Sequence, residues 1–211
     1  MKRCMLWSIV LMVVLSLTTV FAENQQKNTG KLTGKRIVMI IAQRMFEGTE
    51  FKEPKEIFER EGAKIIVACS TLSEATSMGF YRLKVKPDIL INDIKVKDFD
   101  AIVFVGGFGC AEYFDNPVAH KIAKQALDQD KILAAICMAP RILANAGVLK
   151  GKKVTCFSSV REDVKAKGAM VTGEMVERDG KIITGNGPGA SEKFGEEIVS
   201  ALRDLSLCFM F

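Results

Sequence analysis

Short apolar runs alternate with longer amphipathic stretches from Lys35 onward. The runs that predict buried strands are residues 36–42, 63–69, 101–105, 131–136, 153–157 and 181–184. The stretches that predict helices are residues 49–62, 117–129, 140–146 and 161–167, and the segment from Ser191. Continuous apolar strands separated by helices are typical of a parallel sheet covered on both faces. The pattern therefore predicts an α/β fold, a flavodoxin-like three-layer sandwich with a mostly parallel central sheet.

Three further segments complete the predicted order. Residues 79–85 read as a hairpin arm, and residues 170–175 as a second arm. The last helix is expected to begin with Ser191 as its cap. It should bury one apolar face, which carries Phe194, Ile198, Leu202 and Leu205.

The N-terminus has the layout of a secretory signal peptide. Lys2 and Arg3 precede an apolar run over residues 5–17, and small or β-branched residues suit a cut before Glu23. The run is shorter than the about 20 apolar residues that a membrane span requires. We therefore expect residues 1–22 to be a signal peptide and the protein to be exported, periplasmic or secreted, with no stable membrane span after signal removal. An uncleaved N-terminal segment that tethers the protein to the membrane is the alternative.

Composition is consistent with one folded domain. The 211 residues are 48% hydrophobic and carry a formal net charge of +5, which permits a single core without disulfides or metals. Charges of both signs are interspersed and no arginine-rich segment occurs, so nucleic-acid binding is not expected. After the signal peptide, residues 23–34 read as a disordered leader, 35–205 as the domain and 206–211 as an apolar C-terminal tail.

The histidine and cysteine content restricts the possible chemistry. His120 is the only histidine, and it is expected on the solvated side of a helix, so Ser-His-Asp and Cys-His schemes lack a base. Histidine-rich metal sites are excluded, and no carboxylate cluster has convincing ligand spacing, so neither a metal nor another cofactor is expected. Cys69, Cys110 and Cys156 lie in or beside strand-like runs and read as buried, inert thiols.

Cys137 is the candidate nucleophile. Residues 134–140 read Ala-Ala-Ile-Cys-Met-Ala-Pro, the layout of a nucleophile elbow in which a sharp turn joins a buried strand to a helix. The small Ala135 and Ala139 allow the strand and helix to approach each other. The helix N-terminus is expected to lower the pKa of the thiol, but by at most about 1.5 units. A buried cysteine at a tight turn is the alternative.

A diglycine turn is expected beside the elbow. Gly106 and Gly107 follow a predicted parallel strand and so lie at the carboxyl edge of the sheet, where open α/β sheets bind ligands. The backbone N–H groups of Gly107 and Met138 are the candidate donors to an oxyanion. A tight turn explains the two glycines equally well, and their spacing is not that of a dinucleotide-binding fingerprint.

These segments together resemble the ThiJ/PfpI superfamily, also called the DJ/PfpI family, which has a class I glutamine amidotransferase-like fold. It includes bacterial stress chaperones, cofactor-free glyoxalases, PfpI-type peptidases and the human parkinsonism-linked protein. The resemblance runs from about Lys35 to Leu202. It rests on residues 46–54, 98–107, 135–137, 146–151 and 185–191. It implies a functional elbow cysteine, a glutamate of the first βα loop that hydrogen-bonds it, and a homodimer.

The resemblance assigns partners to Cys137. Counting back from Pro54 places Glu50 on the cysteine-contacting glutamate and Glu47 on the second acidic position of that loop. An ionised Glu50 raises the pKa of the thiol, whereas a protonated Glu50 that donates to sulfur lowers it. We therefore expect the pair to share one proton, with a Cys137 thiolate that persists below pH 7 because Glu50 holds the proton.

Two departures from the family pattern weaken an enzymatic interpretation. PfpI-type peptidases carry histidine directly after the nucleophile, where this chain has Met138. Human-type members carry histidine after the later strand, where this chain has Phe157. Neither side chain transfers protons, so Glu50 is the only candidate acid or base.

The sequence leaves several functions open. One is a cofactor-independent glyoxalase-like or deglycase-like enzyme that acts on small reactive aldehydes or their adducts in stress defence. The alternative is a non-enzymatic redox-sensing or chaperone-like stress module whose thiol is oxidised to sulfinate. A PfpI-type cysteine peptidase is disfavoured by Met138, and a binding domain without catalysis is the last possibility.

Overall fold

A computed structural model describes residues 30–208, with side chains to residue 204. The strands are β1 (Arg36–Ile40), β2 (Arg44–Glu47), β3 (Lys64–Cys69), β4 (Ala75–Met78), β5 (Lys84–Val85), β6 (Ile89–Leu90), β7 (Ala101–Phe104), β8 (Ile132–Ile136), β9 (Lys153–Val154), β10 (Met170–Val171), β11 (Val176–Asp179) and β12 (Ile182–Gly185). The helices are α1 (Gly48–Arg60), α2 (Pro117–Asp128), α3 (Pro140–Asn145), α4 (Arg161–Ala166) and α5 (Ser191–Cys208). Among the described residues, no helix is both long and apolar enough to cross a membrane.

The central sheet has seven strands in the order β11-β12-β8-β7-β1-β3-β6. Every neighbouring pair is parallel except β11 and β12. Helices α1 and α5 pack on one face of this sheet, and α2 and α3 pack on the other. The sandwich predicted from the alternating apolar runs is therefore confirmed.

The core strands are buried from end to end because helices cover both faces. All five residues of β8 and all four of β7 are buried, as expected for central parallel strands. The apolar face of α5 is also confirmed for Phe194, Ile198 and Leu202, which are buried. The Leu205 side chain lies outside the described part of the chain.

Two predicted strands are shorter than expected and lie outside the central sheet. The run 153–157 forms only β9, which pairs with β10 in a separate two-stranded sheet, and the arm 170–175 shortens to β10. The reason is that β12 occupies the place beside β8. The backbone after β9 is instead used to support the elbow, since the Phe157 N–H donates to the Cys137 carbonyl at 2.7 Å.

Several predicted boundaries shift. The arm 79–85 becomes the turn and second strand of the β4–β5 hairpin. Ser191 begins α5 but does not cap it, because its backbone is already helical and its hydroxyl oxygen has no hydrogen-bond partner. Within the predicted leader, residues 31–34 form a turn in which Leu32 is fully buried. Helix α5 continues to Cys208, into the predicted tail. The predicted signal peptide lies outside the described residues.

Candidate active site

Three segments meet at the carboxyl edge of the sheet to form the candidate site. These are the elbow after β8, the diglycine turn after β7 and the start of α1. The elbow is held by the backbone, because the Cys137 N–H donates to the carbonyl of Gly185 at 2.8 Å. Cys137 has a φ of 65°. This left-handed backbone conformation is rare for residues other than glycine, and it is typical of nucleophile elbows. The predicted elbow is therefore present.

Gly106 lies directly between Cys137 and Glu50. A Cβ atom on this glycine would stand 2.5 Å from Glu50 Oε2 and 2.6 Å from Cys137 Cβ. The carbonyl of Gly106 also accepts a hydrogen bond from the Glu47 N–H at 3.0 Å. The missing side chain at residue 106 thus permits the nucleophile and the carboxyl group to approach each other.

Gly107 lies close against the backbone of β2. Its φ is 92°, and a Cβ atom there would clash with the backbone of Met45 and Glu47. Its N–H faces the Cys137 sulfur closely enough to lower the thiol pKa. This position suits the oxyanion donor predicted from the sequence, and Met138 follows Cys137 at the entrance to α3.

The substitution Gly106→Ala is expected to destabilise the fold and separate Cys137 from Glu50. The new methyl group has no space between the two side chains, and overpacking of this kind costs about 1–3 kcal/mol. Urea unfolding monitored by circular dichroism measures the change in the free energy of unfolding. Gly173→Ala is the matched control, because nothing lies within 4 Å of its added methyl group. Equal stability of the two variants would contradict this description of the site.

Glu50 is fully buried, and neither of its carboxyl oxygens has a hydrogen-bond partner among the described residues. Burial raises its pKa from 4.5 to about 8, and the charge of Glu47 adds to the rise. The nearby Cys137 thiol and the Gly106 backbone oppose it only in part. Glu50 therefore carries its proton at neutral pH.

The expected low pKa of Cys137 is wrong. Its exposed fraction is only 5%, and burial is the main reason that its pKa is raised. The charge of an ionised Glu50 raises it further, whereas Gly107 lowers it. One backbone donor and a short helix cannot offset the loss of solvation of a thiolate. At neutral pH the resting pair therefore holds both protons, and its reactive form has lost one of them.

Glu47 has a structural role beside its electrostatic one. It is buried and accepts a hydrogen bond from the Glu50 N–H at 2.9 Å, which makes it the N-cap of α1. The cap fixes the first turn of the helix that carries Glu50. Gly79 of the β4–β5 hairpin packs against the Glu47 side chain, so closely that a Cβ atom would clash with it. Sequence reasoning missed this glycine because its partner is distant along the chain.

The remaining candidates lie away from the thiol or are inert. His120 is half-buried rather than solvated, and its Nε2 atom lies 2.7 Å from the carbonyl oxygen of Phe114. Cys69, Cys110 and Cys156 are buried and free, as predicted. Within residues 30–208, no group of three or more histidine, cysteine or acidic side chains is arranged to hold a metal ion.

Comparison with known proteins is consistent with this geometry. The model of the DJ-1/PfpI family matches residues 35–201. The chain belongs to the DJ-1/PfpI family. An uncharacterized protein of Methanocaldococcus jannaschii is 33% identical over 205 residues, which cover 96% of this chain and 98% of that protein. An uncharacterized protein of Staphylococcus aureus is 32% identical and covers 80% of this chain and 99% of its own.

Solved structures of the DJ-1/PfpI family share the fold. The ThiJ/PfpI domain protein from Brachyspira murdochii superposes with a TM-score of 0.78 at 33% identity, covering 80% of this chain and 96% of its own. Drosophila melanogaster DJ-1beta gives a TM-score of 0.70 at 24% identity, covering 83% and 97%. The second likeness concerns the fold alone.

Proposed function

We propose that this DJ-1/PfpI protein is a cofactor-independent enzyme that acts on small reactive carbonyl compounds, with glyoxalase-like or deglycase-like chemistry. The observation that carries the proposal is the unpartnered carboxyl group of Glu50, buried beside Cys137 across Gly106. A carboxyl group with a pKa of about 8 can both accept and donate a proton near neutral pH. A buried polar group without a partner is costly, so such a group suits a substrate that supplies one.

The positions of the groups support the following chemistry. In the reactive form, the Cys137 sulfur attacks the aldehyde carbon of an α-oxoaldehyde such as methylglyoxal, and a thiohemiacetal forms. The backbone N–H groups of Gly107 and Met138 stabilise its oxyanion. Glu50, which holds the remaining proton in this form, passes it to the oxyanion and becomes a carboxylate. The carboxylate then takes the proton of the former aldehyde carbon and returns it to the neighbouring carbonyl carbon, while the hydroxyl proton moves to the neighbouring oxygen, which leaves a thioester on sulfur. Water hydrolyses the thioester to the 2-hydroxy acid and restores the thiol, so no external oxidant or reductant is required.

Lactate formation from methylglyoxal tests this proposal. The purified protein should convert methylglyoxal to lactate, and the rate should rise with pH. Below a pKa of about 8, the singly deprotonated pair increases about tenfold per pH unit. Mass spectrometry of the quenched reaction should find an acyl group on the Cys137 peptide. Absence of lactate at pH 8 would reject the proposal.

A redox-sensing or chaperone-like role is the second candidate, because protonated Glu50 can also donate to a sulfinate on Cys137. The raised pKa and burial of the thiol weigh against rapid oxidation. Mild peroxide followed by peptide mass spectrometry separates the two roles. A sensor requires Cys137 to be oxidised well before the buried Cys69, and equal oxidation would eliminate that role.

A PfpI-type peptidase has less support from the site. Met138 stands beside the nucleophile and cannot act as a base, and His120 is engaged with the Phe114 carbonyl. Among residues 30–204, Glu50 is the buried acid that lies beside the sulfur across Gly106. The described geometry thus favours a substrate with a C–H proton that a carboxylate can move. It gives less support to a peptide substrate, because the leaving amine of a peptide needs a proton.

Assembly and location rest on separate support. DJ-1/PfpI membership supports a homodimer, and the basic-then-apolar N-terminus supports export. Sedimentation velocity should give a mass near twice that of the processed chain. N-terminal sequencing of the protein from its native host should begin at Glu23, and a start at Met1 would favour the uncleaved tether.

A further inference from the structure

Two aromatic side chains are exposed on the turns that support the nucleophile. Phe108 is 57% exposed and Phe157 is 38% exposed. An exposed phenyl ring lacks the favourable free energy of burial, and apolar side chains exposed beside a reactive group are typical of a binding surface. The backbone of each phenylalanine is held by contacts with the segments that surround Cys137.

Phe108 is held on the β7 side of the thiol. It follows Gly107, whose N–H faces the Cys137 sulfur. Its own N–H donates to the sulfur of Met78 at 3.5 Å, which fixes the turn against the β4–β5 hairpin. The phenyl ring therefore projects from a restrained backbone one residue from the proposed oxyanion donor.

Phe157 is held on the opposite side of the elbow. Its N–H donates to the carbonyl of Cys137 at 2.7 Å. Its ring lies over Gly187, 3.4 Å from the position that a Cβ atom would take there. Gly187 belongs to the turn after β12, and Gly185 at the end of β12 accepts the Cys137 N–H. The ring is thus placed by the same turn that holds the nucleophile.

The groups that act electrostatically on the thiol are acidic. Glu50 raises the pKa of Cys137, and Glu47 raises the pKa of Glu50. The reactive pair carries one negative charge, and in a buried site such a charge is poorly screened. This charge would repel an anionic substrate as it approaches the sulfur, whereas a neutral carbonyl compound would not be repelled.

We propose that Phe108 and Phe157 form an aromatic entrance to Cys137 that selects uncharged carbonyl compounds with an apolar or aromatic substituent over anionic ones. For catalysis, the inference rests on the proposed function, and it predicts that phenylglyoxal is a better substrate than methylglyoxal. Edge or face contacts between the substituent and the two rings favour the aromatic compound about three- to tenfold. The entrance itself is independent of turnover.

Alkylation of Cys137 tests the entrance without any catalytic step. Rates for iodoacetamide, iodoacetate and N-phenyl iodoacetamide are measured at pH 8 on the Cys137 peptide and divided by the rates with free glutathione. We expect the aromatic reagent to exceed iodoacetamide about three- to tenfold and the anionic reagent to fall about tenfold below it. Equal normalised rates for the three reagents would overturn the inference.

Variants assign the selectivity to the two rings. Phe108→Ala and Phe157→Ala should each reduce the advantage of the aromatic reagent, and the double variant should remove it. Leu72→Ala, which truncates another exposed apolar side chain, should leave it intact. Phe157→Leu removes the aromatic ring but keeps an apolar side chain that can support the elbow. With an intact elbow, iodoacetamide should react with this variant at the wild-type rate. A slower iodoacetamide reaction in Phe157→Ala alone would then indicate a damaged elbow in that variant. Persistence of the aromatic advantage in the double variant would overturn the inference.

The two proposals fail separately. Selective alkylation without lactate formation would reject the enzymatic function and leave the entrance in place. Lactate formation with equal alkylation rates would reject the entrance and leave the function in place. Where turnover occurs, the ratio of kcat/KM for phenylglyoxal and methylglyoxal should fall in the double variant in parallel with the alkylation ratio.

Discussion

The variant Cys137→Ala is expected to lose lactate formation from methylglyoxal by at least about 10³-fold, because the covalent intermediate cannot form. No other described cysteine is placed to substitute for it. Cys110 and Cys156 are buried in the core, and neither stands on the elbow that faces Glu50 across Gly106. Glu50 and Gly107 remain in the variant but have no nucleophile to assist. Steady-state assays at pH 8 measure the loss.

Two companion variants make this result specific to Cys137. Cys137→Ser keeps a nucleophilic atom, but its hydroxyl has no histidine to activate it, so the loss should be nearly as large. Cys156→Ala removes another buried thiol and should keep most of the activity. Lactate formation by Cys137→Ala at a rate near wild type would refute the covalent mechanism.

The variant Glu50→Gln is expected to be more stable than the wild type at pH 7, by about 3 kcal/mol. The pKa of Glu50 is about 8 in the folded protein and 4.5 as a free side chain, so the folded state binds the proton more tightly. The contribution of the Glu50 proton to the free energy of unfolding is about 5 kcal/mol in total. It is fully present below about pH 4.5 and is lost as the pH rises to about 8. Glutamine avoids the loss because it is neutral in both states.

Urea unfolding at several pH values measures this difference. The gain in the free energy of unfolding of Glu50→Gln should be near zero at pH 4 and should increase up to about pH 8. Glu56→Gln on the same helix is the control, since its exposed carboxylate pairs with Lys52 and contributes at most about 0.5 kcal/mol. A gain that is constant between pH 4 and pH 8 would show that Glu50 is not a buried acid with a raised pKa.

The same variant should lose catalysis while it gains stability. Glutamine cannot move the substrate proton, and loss of a general acid-base group costs typically 10²- to 10⁴-fold. A variant that is more stable but inactive is expected when a group that destabilises the fold is required for function. Reduced activity together with reduced stability would instead indicate that Glu50 mainly maintains the fold.

The order of elements was predictable because it depends on local patterns. Continuous apolar runs predicted the buried strands β1, β7 and β8, and helix-length amphipathic stretches predicted the layers that cover them. The prediction failed at residues 153–157, where an apolar run reads as a central strand. The neighbour that occupies the central position is β12, and no local pattern specifies which of two apolar segments pairs with β8.

The elbow of Cys137 could be predicted from the residues alone, and its partner Glu50 from the family resemblance. Small residues before and after the cysteine and a proline that opens the helix are local features, and the left-handed Cys137 backbone agrees with them. The ionisation of the pair, in contrast, depends on contacts that form only in the folded protein. The favourable effect of a helix N-terminus acts over one turn and can be read locally. The unfavourable effect of burial depends on segments distant along the chain, and it raises both pKa values at this site.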